Sequence, residues 1–226
     1  MAVRAGCGDS AGWLPFRREL NSILSLLTRS TWSTVSPKPR LILASSSPRR
    51  RQLLSEAGYE FEVIPPHESA ECGVCSRETP PELVARLAWQ KAADVAHSID
   101  EGLVVGCDTV AECCGQILGK PADRDHAEQM LRLMRGREHH VYSGLCLWPR
   151  PGEAPHVSVA VTCLVMDSIS DRELADYLDT EAWEGKAGAF GYQDGLDWVH
   201  LVEGSESNVV GLPLELLQEM LISISG

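Results

Sequence analysis

No stretch of this 226-residue chain approaches the roughly 20 consecutive apolar positions that a bilayer-spanning helix needs, so no transmembrane helix is expected. A secretory signal is not expected either. The apolar stretch from Ile23 to Leu27 is short, is interrupted by Ser25 and follows the polar pair Asn21-Ser22. Positive charge is also scarce, with 20 Lys and Arg against 32 Asp and Glu and a net charge of −12. Counterion release needs clustered cations, which argues against a surface built for stable nucleic-acid binding. Residues 1 to 40 are net +4, leaving −16 for the remainder, so any positive patch in the main body must be local. These absences together lead us to expect a cytoplasmic protein without membrane or stable nucleic-acid partners.

The eight cysteines (7, 72, 75, 107, 113, 114, 146 and 163) are too scattered for a disulfide framework in a chain of this size. Cys72 and Cys75 have the spacing of half a zinc site, with Cys113 and Cys114 as conceivable partners. No second CxxC or HxxxH pair completes a ligand set, so reduced thiols are the preferred reading. A GxxxxGK[ST] phosphate loop and a strict GxGxxG dinucleotide fingerprint are both missing. Gly8 to Gly12 does match GxSxG, and Gly6 to Ala11 matches a looser GxGxxA. Neither follows an apolar strand, so both are read as chance.

Residues 1–38 mix Arg, Ser, Trp and Gly without a sustained period and end in Ser36-Pro37-Lys38-Pro39. We expect a poorly ordered extension there and one domain over 39–226; the extension has only a weak likeness to an organelle transit peptide. Within the domain, Leu41 to Ala44 has the character of a buried strand. Ser47, Pro48 and Gly58 then supply an N-cap, a first-turn proline and a terminator for a helix. Strands are expected at Phe61–Ile64, Leu103–Cys107 and Trp198–Val202, with a hairpin of Val141–Trp148 and Val157–Met166. Helices are expected at 81–98, from the Asp123 cap to Gly136, at 171–178 and at 213–222. The pattern implies an α/β fold: a mixed twisted sheet with flanking helices.

Three segments carry candidate chemistry. Ser45-Ser46-Ser47-Pro48-Arg49-Arg50 places hydroxyls, unpaired amides and two guanidinium groups at a helix N-terminus, where an anion would relieve the conflict between cations and the dipole. Asp108 follows the apolar run 103–107, at the carboxyl end expected to bear a catalytic or metal-binding carboxylate, and Lys120 follows a short strand. The glycine-rich stretch Gly185 to Gly195 contains Lys186 and also Gln193, which could read the edge of a base. Ser205 opens a further polar loop before a helix. Cations for a polyphosphate, a carboxylate for a metal or for water, and a Gly/Gln loop for a base fit metal-assisted hydrolysis of a nucleotide.

The motifs Ser45 to Arg50 with Leu53-Leu54, Arg86-Leu87-Ala88 with Lys91-Ala92, Cys107 to Val110, Gly119-Lys120-Pro121, Lys186 to Gln193 and Gly211 to Leu214 occur in the order seen in the Maf family of nucleoside triphosphate pyrophosphatases, which the chain resembles over about residues 41–222. The resemblance implies a deep-clefted fold akin to the inosine triphosphate pyrophosphatases. It also implies cleavage between the α and β phosphates with a divalent cation, Mg²⁺ or Mn²⁺. Asp108 matches the family's proton acceptor. Arg49, Thr109 and Gln193 match positions that mark the branch acting on dTTP and UTP; the branch acting on 7-methyl-GTP has Trp at the position of Arg49. Phosphate contacts are expected from Ser45, Ser47, Arg50, Lys91 and Lys120. Glu71, Lys186 and Ser205 are further cleft candidates, and Asp108 with Glu71 (or Glu68) is the candidate metal pair. Cys107, Phe190-Gly191-Tyr192 and Asp194 depart from the family's usual residues. A nucleoside triphosphate is the expected ligand and a second copy of the chain the expected protein partner. The competing reading is a nucleotide sensor that acts on septum formation.

Overall fold

The computed structural model describes residues 40–67, 78–152 and 154–225. The expectations for residues 1–38, for Glu68 and Glu71 and for Cys72 and Cys75 fall outside these. Seven strands form one mixed sheet in the order β2-β1-β3-β5-β6-β7, with β4 paired to β3. The strands are β1 (Leu41–Ala44), β2 (Phe61–Val63), β3 (Gly102–Cys113), β4 (Gln116–Leu118), β5 (Glu138–Arg150), β6 (His156–Met166) and β7 (Val199–Glu203). Only β1 pairs in parallel, with β2 and β3; the other ladders are antiparallel. The helices are α1 (Pro48–Glu56), α2 (Pro80–Ala96), α3 (Arg124–Met134), α4 (Asp171–Asp179), α5 (Glu206–Val210) and α6 (Leu214–Ser225). None of the described helices is long and apolar enough to cross a membrane. The mixed α/β architecture follows the expected pattern, and the caps Ser47 and Asp123 each accept a backbone N–H as anticipated.

One boundary differs in a way that matters. The strand expected to end at Cys107 continues to Cys113, so Asp108 lies within β3 rather than after it. The apolar run covers only the part of β3 that pairs with β1, whose last residue, Ala44, lies opposite Gly106. Beyond that point β3 is supported by β5 and turns back as β4 through Cys114 and Gly115, both at positive φ. Asp108 therefore stands just past the carboxyl end of β1, and that end opens the crevice.

Helix α2 lies directly on the sheet because two glycines let it. A Cβ on Gly106 would fall on the carbonyl oxygen of Ala88, and one on Gly144 would fall on that of Val84. Gly144 is the ladder partner of Asp108, so the same close approach brings α2 and its Lys91 down to the carboxylate. Gly144→Ala is expected to destabilise the fold by about 1–3 kcal/mol, because the obstacle is backbone and cannot rotate away. Gly119→Ala, with nothing near its Cβ, should change the urea midpoint little.

His139 on β5 is fully buried, with its ring edge-on to Phe190 at 5.3 Å between centroids. Burial, helped by the neighbouring His140 and opposed by the Arg137 backbone, pushes its pKa down to about 4. An unfolded histidine takes up its proton near pH 6.5, so between about 6.5 and 4 unfolding is accompanied by proton uptake. Stability should therefore be full above that window and fall by about 3 kcal/mol as pH is lowered through it. Denaturant unfolding from pH 7 to 4 should show a correspondingly shallower loss in His139→Leu. Parallel curves for the two proteins would exclude this assignment.

Candidate functional site

The crevice at the end of β1 encloses about 380 Å³ and collects side chains from both halves of the sheet. Arg49, Arg50, Lys91, Lys120 and Lys186 line it, and Asp108 is the one carboxylate among the described lining residues. In a chain of net charge −12 this is a local positive patch, although Lys91 and Lys186 are paired with Asp108 and Asp194. Ser45, Ser47, Thr109 and Gln193 also line it.

The floor is a hydrogen-bonded unit built around Arg50, whose side chain is buried. Its Nε donates to the Gly211 carbonyl at 2.8 Å, one terminal nitrogen to Ser45 Oγ at 3.2 Å and the other to Thr109 Oγ1 at 3.2 Å. Thr109 Oγ1 is in turn 2.8 Å from Ser143 Oγ. Arg50 is thus fixed by three charge-assisted bonds and ties α1 to β3 and to the turn after α5. Ser45 Oγ also accepts from the Ser47 amide, and Ser47 Oγ accepts from the Arg50 amide, so these hydroxyls shape the turn.

Gly211 reaches the floor because the segment before it is pinned. Ser205 caps α5, Asn208 Nδ2 donates to the Val141 carbonyl and Thr162 Oγ1, and Ser207 Oγ receives the Leu214 amide. Ser205 itself bonds to Ser207 and Glu215 and is absent from the cleft lining, unlike the other described candidates.

Among the described residues, Lys91 and Asp108 form a buried ion pair at the site, with Nζ to Oδ1 at 2.7 Å and side chains 7% and 15% exposed. Across the mouth, Arg49 donates to the Gly185 carbonyl at 2.7 Å, linking α1 to the glycine-rich stretch. Burial, and after it the neighbouring Arg50, pushes the Arg49 pKa below its ordinary value, with Asp194 opposing. A second anion near these paired guanidinium groups would relieve the same crowding. The glycine-rich stretch holds its own shape through a Lys186–Asp194 ion pair and through Tyr192, whose hydroxyl donates to Glu206 at 3.2 Å. Burial and Glu206 push that phenol up to about 12. Gly188 and Ala189, both at positive φ, turn the chain so that Phe190 and Gln193 line the cleft.

The thiols nearby are not nucleophiles. Cys107 is fully buried against the Gly211 carbonyl and burial pushes its pKa up, while Cys113 and Cys146 rise to about 11 and about 12. The described cysteines, 107, 113, 114, 146 and 163, are all free.

For a divalent cation, the described donor set is one carboxylate with one oxygen already bonded to Lys91. This suits a hard ion such as Mg²⁺, which takes one or two carboxylates and completes its shell with phosphate oxygens and water. It does not suit an all-protein cage. Ser143, hidden in an apolar strand, carried no sequence signal; Gly211 and Asp194 stood out only as a motif residue and a departure from the family pattern, not as the partners of Arg50 and Lys186.

The chain is also similar to known proteins. The family described as Maf-like protein matches residues 40–224. A dTTP/UTP pyrophosphatase of Rhodopirellula baltica is 62% identical over 188 residues, 82% of this chain and 83% of that protein. One of Geotalea uraniireducens is 41% identical over 178 residues, 78% of this chain and 91% of its own. A solved nucleoside-triphosphatase, or dITP/XTP pyrophosphatase, of Mycobacterium abscessus aligns with 82% of this chain and 97% of its own at 12% identity and a TM-score of 0.39.

Proposed function

Since the chain belongs to the Maf-like protein family, we propose that its domain of residues 39–226 is a nucleoside triphosphate pyrophosphatase acting on dTTP and UTP. Water would attack the α-phosphorus, the bond from that phosphorus to the bridging oxygen would break, and pyrophosphate would leave a nucleoside monophosphate. The observation that carries the reading is the set of five cations facing a single carboxylate in one crevice at a helix N-terminus. A triphosphate matches that charge, and the acid provides the proton acceptor.

The residues divide the work. Arg49, Lys120 and Lys186 face the phosphate chain from the rim, while Arg50 brings its charge to the floor with its donors held in place. Lys91 orients the Asp108 carboxylate, which takes the proton of the attacking water. Asp108 and the substrate's phosphate oxygens would hold Mg²⁺ or Mn²⁺. When bound, the ion would neutralise developing phosphate charge and make water a stronger nucleophile near neutral pH. Gln193 and Arg49, both in the cleft lining, would read the base. Thr109 acts on specificity through Arg50, because its hydroxyl is already engaged there and with Ser143. Ser205 is kept only as a support for the Gly211 turn. Glu68 and Glu71 can be separated by Glu68→Gln and Glu71→Gln, of which the metal-binding one should raise the Mg²⁺ requirement.

Pyrophosphate release measured across a panel of nucleoside triphosphates with Mg²⁺ or Mn²⁺ tests the proposal. The highest kcat/KM is expected for dTTP and UTP, with monophosphate as the co-product. Release of orthophosphate, or binding without turnover, would reject it in favour of a different phosphatase or a sensor. Arg49→Trp should lower kcat/KM for dTTP and UTP more than for purine triphosphates.

A further inference from the structure

At the end of the sheet away from β1, three strands place a second group of donor side chains. In the ladders, Glu112 of β3 lies opposite His140 of β5, and His140 lies opposite Cys163 of β6, so the three form one row on one face. Glu138, two residues before His140, shares that face. A ligand atom from each of Glu138, His140 and Cys163 falls within 4.8 Å of the other two. Glu112 Oε2 is 3.6 Å from His140 Nδ1. Cys163 also lies opposite Glu203 of β7. Among the described residues neither Glu138 nor Glu203 has a cationic ion-pair partner, so the row gathers acid that nothing described there neutralises.

We propose that Glu138, His140 and Cys163 form a binding site for a borderline-soft divalent cation such as Zn²⁺, distinct from the cleft, with Glu112 as fourth ligand or as the group that orients the imidazole. One imidazole, one thiolate and carboxylates suit Zn²⁺ or Co²⁺, whereas Mg²⁺ favours oxygen alone. With the three atoms within 4.8 Å of one another, rotation of the exposed Glu138 side chain is enough to adjust them to a tetrahedral shell. Burial, with the nearby carboxylates of Glu138 and Glu203, pushes the Cys163 thiol up, so the free site keeps its proton. On binding, the S–H proton passes to solvent and the sulfur pair goes to the metal. Glu112 lies four residue steps along β3 from Asp108, about 13 Å of extended chain, and none of the row lines the cleft. A bound ion would cross-link β3, β5 and β6 where the sheet has no helix N-terminus or substrate to hold it.

The test is titration of the intact chain with Co²⁺ in excess Mg²⁺, which occupies oxygen-only sites. One equivalent should bind with a thiolate-to-cobalt charge-transfer band that Zn²⁺ removes. Cys163→Ser should abolish the band, His140→Ala and Glu138→Gln should weaken binding at least tenfold, and Cys72→Ser/Cys75→Ser should leave both intact. Pyrophosphate release should persist in Cys163→Ser. No cobalt binding by the native chain, or a band lost with Cys72 and Cys75 but kept without Cys163, overturns the proposal. If Cys163→Ser fails to fold, Glu138→Gln at its exposed position decides, and undiminished affinity there rejects the site.

Discussion

Asp108→Asn is expected to lower kcat by about two to four orders of magnitude while leaving KM unchanged or reduced. Asparagine keeps the shape and still offers an oxygen to the Lys91 ammonium, 2.7 Å from Oδ1 in the native pair, so the floor of the cleft should survive. What it loses is the capacity to accept a proton and one negative charge in a crevice lined by five cations. Removing that charge strengthens the direct pull of the cations on a triphosphate, so at saturating Mg²⁺ the loss should appear chiefly in turnover. The measurement is pyrophosphate release at saturating and subsaturating dTTP, beside nucleotide binding to the same variant. Turnover within threefold of the native chain would mean that Asp108 is not the proton acceptor. A loss confined to KM would reassign it to substrate binding.

The sequence displayed the parts of this site better than their connections. The Ser47 cap, the first-turn Pro48 and the run Leu41 to Ala44 follow local rules, so β1 and α1 were legible, as was the acid–cation composition of the cleft. The extent of β3 was not. Its second half is only partly buried at Asp108, Thr109 and Glu112, without a regular alternation, and pairing with β5 and β4 keeps it extended through Cys113. The partners of Arg50 were equally hidden, since a guanidinium beside three serines reads as a ligand for phosphate. Its bonds to the carbonyl of Gly211, 161 residues away, and to Thr109 are tertiary facts with no local trace. Ser205 shows the reverse error: a polar loop before a helix looked like cleft lining, but its hydroxyl is consumed as a cap.

Lys91→Met is expected to cost about 3–5 kcal/mol of folding stability, more than a surface ion pair could, because both members of the pair are nearly shielded from water. Removing the ammonium leaves the Asp108 carboxylate at the base of α2 without its described counter-charge, in a place created by the backbone contact at Gly144. Much of that penalty belongs to the pair. Lys91→Met/Asp108→Asn should therefore recover much of the loss, giving a non-additive cycle with a coupling of about 2 kcal/mol or more. Urea unfolding of the four proteins at pH 7 measures it directly. If the double variant is as unstable as the two single changes added together, the ion pair does not organise the site. Recovery of stability without recovery of turnover would instead separate the two roles: the pair holds α2 against the sheet, and the ionised carboxylate is kept for the reaction.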